Sequence, residues 1–159
     1  MKSNSGSLLR DYLQLSKLKI MLPVSLTGFT GYFIFNPHIS INIILVSFGL
    51  LLLAISASAL NQVQETALDS KMKRTLNRPV PSGRIKVKQA VLFIVCTMVA
   101  GTLFILLYGN LQAAVIGLFT ILWYNGVYTY SKRITAFAVV PGALTGALPP
   151  LIGWVAAGG

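Results

Sequence analysis

An all-α, polytopic bundle of transmembrane helices is the fold this sequence predicts, and three observations carry it. Of 159 residues, 55% are hydrophobic and only 10% charged, with a mean hydropathy of +0.74. That balance suits hydrocarbon and excludes a disordered, heavily solvated chain. The apolar residues gather into five runs, each long enough, or nearly so, to cross a bilayer. The Lys and Arg residues stand between those runs or at their edges.

The runs are Ile20–Phe35, Ile39–Leu60, Gln89–Tyr108, Leu111–Tyr130 and Ala136–Ala157. A helix of about 20 residues rises roughly 30 Å, the thickness of the hydrocarbon layer. Helices are required because lipid offers backbone amides no partner. The first run is the shortest and borrows Lys19 and Asn36 as snorkelling ends. It does not read as a cleaved leader, since Phe35-Asn36-Pro37-His38 lacks the small residues of a cleavage site. Cys96 and the methionines read as packing within spans, and His38 as a solvated loop residue. In the fifth run, Gly142 and Gly146 form a small-residue face for close helix contact. Pro149-Pro150 is predicted to kink or break that helix, freeing carbonyls that must be buried or line a chamber. Residues 1–159 form one membrane domain. The chain stops at Ala156-Ala157-Gly158-Gly159 with no flanking charge, as expected of the amino-terminal half of a longer protein.

Charge sets the orientation. The formal net charge is +10, which in a soluble protein would suggest nucleic acid. Here the cations follow topology instead. Lys2, Arg10, Lys17 and Lys19 precede the first run. Lys71, Lys73, Arg74, Arg78, Arg84, Lys86 and Lys88 lie between the second and third, and Lys132 and Arg133 between the fourth and fifth. The two other connections carry none, so the positive-inside rule places the amino terminus and the 61–88 loop in the cytoplasm. A nucleic-acid partner is not expected. A single cysteine forms no intrachain disulfide, and no Cys/His spacing supports zinc, iron–sulfur or covalent haem sites.

The 61–84 segment carries the chemistry. If the second helix continues past Leu60, then Asn61, Glu65 and Asp69 recur every four residues and point to nearly one side. Two stacked carboxylates repel, and a divalent cation reverses that. Oxygen donors of this kind suit Mg²⁺ held together with water and substrate phosphates. Arg74 and Arg78 follow as forked donors for phosphate oxygens. The competing account is an ordinary loop whose charges pair with one another and face anionic lipid headgroups. At the end of the fourth run, Tyr124, Asn125 and Tyr128 offer π faces or an amide to a cation. Aromatic rings also collect at bilayer interfaces as anchors, whereas an amide inside a span demands a partner.

Asn61, Glu65, Leu68, Asp69, Met72, Arg74, Thr75, Arg78 and Gly83 together resemble the signature of the UbiA-type intramembrane prenyltransferases. Tyr128-Thr129-Tyr130-Ser131-Lys132-Arg133-Ile134-Thr135, with Pro141-Gly142-Ala143-Leu144-Thr145-Gly146-Ala147-Leu148-Pro149-Pro150-Leu151-Ile152-Gly153-Trp154, is similar to the branch that farnesylates haem. Tyr12-Leu13-Gln14-Leu15-Ser16-Lys17 resembles the entry to the family's first helix, with Leu18 where proline is usual. Glu65 stands where many relatives have Asp, which keeps the charge and lengthens the arm.

The resemblance covers nearly the whole chain but only about half of the family's length. It implies a bundle of roughly nine spans whose missing half completes the site. It also implies transfer of farnesyl from farnesyl diphosphate to a vinyl group of haem b, giving haem O, in a bacterial inner membrane. Asn61, Glu65 and Asp69 would hold Mg²⁺, with Arg74, Arg78, Lys132 and Arg133 on the diphosphate. This chain alone would be nearly inactive. Two alternatives stand beside it: the same chemistry on an aromatic quinone precursor, or a non-catalytic membrane piece that binds anionic lipid.

Overall fold

The structure, a computed structural model, describes residues 5–159, and side chains from Leu8 onward; Lys2 lies outside them. No strand occurs among the described residues. Helix α1 (Ser5–Ser16) is followed by α2 (Leu18–Phe35), α3 (Ile41–Gln64), the short α4 (Thr66–Asp69), α5 (Val87–Tyr108) and α6 (Leu111–Leu122). A π-helical turn, Trp123–Tyr128, leads into α7 (Thr129–Ile134). A 3₁₀ turn, Ala136–Ala138, then leads into α8 (Val139–Ala156). Five segments are long and apolar enough to cross a membrane: Leu18–Phe35, Ile41–Gln64, Val87–Tyr108, Leu111–Ile134 and Ala136–Ala156. Hydropathy therefore located every span, with ends displaced by up to four residues.

Exposed apolar side chains on the outer faces, such as Leu92, Leu107, Leu122 and Ile134, are what hydrocarbon covers and water would not tolerate. Cys96 is on that exposed side of α5, not packed between helices as expected. The interior is built on α3, which runs between α2 and α5 and also touches α6 and α8. Ile43, Val46, Leu50 and Leu53 of α3 bury against Ile105, Ala113, Ile121 and Ile152.

Helix α1 is an element that hydropathy did not separate from the first span. Leu15 is fully buried while Leu9 and Leu13 are exposed. Leu15 joins Val80 and Ile85 of the 70–86 loop in a second apolar cluster. Arg84 fastens the same contact from outside: it donates to Asp11 Oδ1 at 2.9 Å, Gln14 Oε1 at 3.0 Å and the Asn77 carbonyl at 2.9 Å. The loop between the second and third spans is thus held against the bundle. Its turn at Gly83, with φ 72, uses a left-handed conformation that only glycine adopts cheaply.

Two crossings bring backbones into contact. At α3 and α5, a Cβ on Gly101 would stand 2.7 Å from the Gly49 carbonyl oxygen, and one on Gly49 would stand 2.9 Å from that of Gly101. At α2 and α8, a Cβ on Gly31 would overlap the Pro150 carbonyl, and one on Gly153 the Gly28 carbonyl. The close-packing face of α8 is therefore Pro149, Pro150 and Gly153, not the expected Gly142 and Gly146. Gly142 faces the Tyr128 ring, and nothing stands within 4 Å of the Cβ position of Gly146. Pro149-Pro150 also does not break the helix, which runs unbroken from Val139 to Ala156. Prolines remove donors and crowd the preceding turn, yet packing against glycine backbones holds the helical course.

Replacing Gly31 with leucine should therefore separate α2 from α8, lowering stability by about 3 kcal/mol. Gly126→Ala, whose Cβ meets nothing within 4 Å, should be nearly neutral. Thermal unfolding of the two variants in detergent checks the contrast.

Candidate active site

Helical register survives the junction of α3 and α4. The Glu65 N–H donates to the Asn61 carbonyl at 3.0 Å, and the Asp69 N–H to the Glu65 carbonyl at 2.8 Å. Asn61, Glu65 and Asp69 therefore stack on one face although the assigned helix pauses at Glu65. Asn61 and Asp69 are buried.

Each carboxylate has a cation. Arg78 Nη1 donates to Asp69 Oδ2 at 2.6 Å. Lys132 Nζ stands 2.8 Å and Arg133 Nη2 3.6 Å from Glu65 Oε1. Asn61 Nδ2 donates to the other oxygen of Glu65, Oε2, at 2.9 Å. The Thr129 hydroxyl, fully buried, lies 2.9 Å from Asn61 Oδ1. A chain of contacts thus runs from Thr129 through Asn61 and Glu65 to Lys132, leaving α7, crossing to α3 and returning. Burial alone would raise the Glu65 carboxyl. The hydrogen bond and charge of Lys132, the Asn61 amide and Arg133 together outweigh it and hold the group below its ordinary value.

Lys17, read from the sequence as a topology charge and as the end of the stretch that resembles the family's first-helix entry, joins this cluster. It adopts φ 46 and ψ 42, the left-handed region rarely taken by residues with a side chain, and this turn joins α1 to α2. Its half-buried ammonium is lowered by burial and by Arg78, opposed by the attraction of Glu65 and Asp69, and lowered further by Lys132. Four cations therefore surround two carboxylates, an excess that suits an anion. Thr129 was missed as well; a threonine inside a basic interfacial stretch carries no signal until the fold sets it beside Asn61.

The other expected residues separate. Arg74 is exposed and makes no ion pair with any described residue. Tyr124 and Tyr128 stack with centroids 5.5 Å apart, and Lys132 Nζ lies 5.7 Å from the Tyr128 centroid. Asn125 is buried: its Nδ2 donates to the Ile121 carbonyl at 3.1 Å and its Oδ1 has no partner. The π turn causes this arrangement. Its wider ring lets the Thr129 N–H reach the Tyr124 carbonyl, five residues back.

Beside the cluster opens a cavity of about 830 Å³, within the range of pockets that enclose a sizeable ligand. Tyr124, Tyr128 and Lys132 line it at the charged end, and Leu53, Gly117 and Ile152 line it farther in. Asn125 is not among the lining residues. A polar rim able to take phosphate thus opens into a mostly apolar chamber able to take a hydrocarbon chain. No group of three or more His, Cys, Asp or Glu occurs among the described residues. The two stacked carboxylates nevertheless fit Mg²⁺, which is commonly bound by one or two carboxylates together with substrate phosphates. Asn61 Oδ1 accepts from Thr129 and keeps a second lone pair, while its Nδ2 holds Glu65.

Residues 22–159 match the profile of the UbiA prenyltransferase family. The chain is 39% identical over 149 residues to a protoheme IX farnesyltransferase of Nitratidesulfovibrio vulgaris (strain DP4), covering 94% of this chain and 52% of the relative. It is 40% identical over 151 residues to the protoheme IX farnesyltransferase of Legionella pneumophila (strain Lens), covering 92% and 51%. A solved structure of digeranylgeranylglyceryl phosphate synthase in membranes superposes with a TM-score of 0.83 at 25% identity, over 93% of this chain and 53% of that one. The chain spans about half the length of these relatives. By its matched residues and its helical membrane architecture, the chain belongs to the UbiA prenyltransferase family.

Proposed function

We propose that this protein, at full length, transfers a farnesyl group from farnesyl diphosphate to a vinyl group of haem b, giving haem O. The observation that carries the reading is one helical face holding Glu65 and Asp69, each already paired with a cation, with Lys132, the partner of Glu65, lining an apolar cavity. The names of the relatives at about 40% identity favour haem as acceptor over an aromatic quinone precursor. The cation excess in cytoplasmic connections supports an orientation in a bacterial inner membrane with the amino terminus and the 61–88 loop inside.

The charged partners exchange when substrate binds. Diphosphate oxygens take over Arg78 and Lys132, with Lys17 and Arg133 close by, and Glu65 and Asp69 are the carboxylates that would hold Mg²⁺. Arg74, on the same loop as Arg78 but exposed, is a further phosphate donor in this reading. When bound, Mg²⁺ supplies Lewis-acid stabilisation of the departing diphosphate. Asn61, fixed by Thr129, aims Glu65. Tyr124 and Tyr128 flank the point where the carbon–oxygen bond breaks, and the apolar walls keep water from the allylic cation until the acceptor has reacted. Asn125 acts from behind the wall by holding the π turn. Residues 1–159 span about half the length of the matched relatives and alone would show almost no turnover.

In the full-length protein, Asp69→Asn should lower kcat about 100-fold or more with normal membrane insertion. Haem O formation measured by mass analysis of extracted pigment tests it, and unchanged turnover would refute the assignment. Chelation with EDTA should stop transfer, and added Mg²⁺ should restore it. The Glu65 carboxyl, depressed in the folded protein, stays ionised until pH falls through its lowered value. Lys132→Met removes the chief opposing charge and leaves burial to raise the group, so the acid limb of the kcat/KM profile should move to higher pH.

A further inference from the structure

The cavity wall contains an unusual stretch of backbone. In α8 the carbonyls of Thr145 and Gly146 would ordinarily accept from the N–H groups of residues 149 and 150. Both are proline, so neither donor exists. Thr145, Gly146 and Pro149 all line the cavity, and nothing stands within 4 Å where a Gly146 Cβ would be. The neighbouring side chains are acceptors too. Hydroxyls of Thr145, Thr120 and Thr27, all cavity-lining, donate to the carbonyls of Pro141 at 3.0 Å, Ile116 at 2.7 Å and Val24 at 2.7 Å. Their hydrogens are spent, leaving lone pairs. The Ser58 hydroxyl is itself enclosed. Apart from Ser58, whose enclosed hydroxyl has no partner, and Lys132, Tyr124 and Tyr128 at the charged end, the lining thus holds a patch of oxygen acceptors whose own hydrogens are spent.

We propose that the Thr145 and Gly146 carbonyls, freed by Pro149-Pro150, form a notch that stabilises the positive charge of the reacting carbon. The inference rests on the prenyl-transfer reading above. Gly142 packs on Tyr128, and Gly146 is one helical turn, about 6 Å, farther from the charged end. That offset suits the allylic carbons of a prenyl chain whose diphosphate sits at Lys132. As the C1–O bond breaks, both its electrons leave with diphosphate and the allyl unit becomes cationic. The π pair of the acceptor's vinyl group then forms the new C–C bond, moving the charge to the acceptor. Water adds there and its proton passes to the released diphosphate. Fixed carbonyl dipoles in a dry site are worth far more to such a charge than in water. They act as the inverse of an oxyanion hole.

Pro149→Ala and Pro150→Ala each return an N–H to one carbonyl without adding bulk. In the full-length protein in lipid nanodiscs, each should lower kcat about tenfold while the KM for farnesyl diphosphate changes less than about twofold, the mark of an interaction made in the transition state. A farnesyl ammonium analogue with inorganic diphosphate should bind the parent better than its uncharged isostere, by about tenfold, and either proline variant should lose that preference. Gly146→Val covers the notch without altering the backbone and should have the same effect if a proline variant misfolds. A parent with no preference for the ammonium analogue, or variants that retain it at full kcat, would overturn the notch. Ammonium preference that is lost in the variants, with no farnesylated haem from the parent, would sustain the notch and overturn the haem assignment alone.

Discussion

Glu65 is the point on which the site depends, because it is held from two helices at once. Asn61, on its own helix, fixes one oxygen, and Lys132 on α7 holds the other. A carboxylate at the edge of a bilayer pays for desolvation unless charge and hydrogen bonds answer it, and here both come from residues that also join α3 to α7. Thr129 extends the connection by bonding Asn61 from the first residue of α7. The groups that would hold substrate are therefore also the groups that close the polar end of the bundle.

The apolar end is closed by different means. At both glycine crossings, side chains are absent and backbone meets backbone, so α2 and α8 approach closely enough for van der Waals contact to hold them without a hydrophobic driving force between helices. That crossing sits at Pro149, Pro150 and Gly153, overlapping the inner end of the stretch of α8 that lines the cavity. Tight contact on one side of α8 and open space at Gly146 on the other are consequences of one arrangement. The prolines that pack against α2 are the same residues that strip donors from the cavity wall.

The electrostatic design is one of partners that can be exchanged. Two carboxylates paired with basic side chains, with a further ammonium at Lys17, cost little in the absence of substrate. The surplus of cations leaves a site that an anion completes. Arg84 and Asp11 pin the intervening loop to α1, so Arg78 is presented by a braced segment and not by a free tail.

The sequence by itself determined the spans, their order and the stacking of Asn61, Glu65 and Asp69, because each follows from a period along one chain: apolar length for lipid, four residues for a helical face. It also carried the basic partners as a set. Tertiary structure alone decided which of them meet. Arg78, Lys132 and Arg133 reach the carboxylates while Arg74 points outward, and Lys17 enters from a turn that hydropathy does not mark. The two glycines assigned to helix contact line the cavity, and the prolines expected to break α8 pack within it. Pairing and packing depend on rotation and approach between helices, which no single-helix period encodes, and on neighbours far away in the chain that supply or withhold a hydrogen-bond partner.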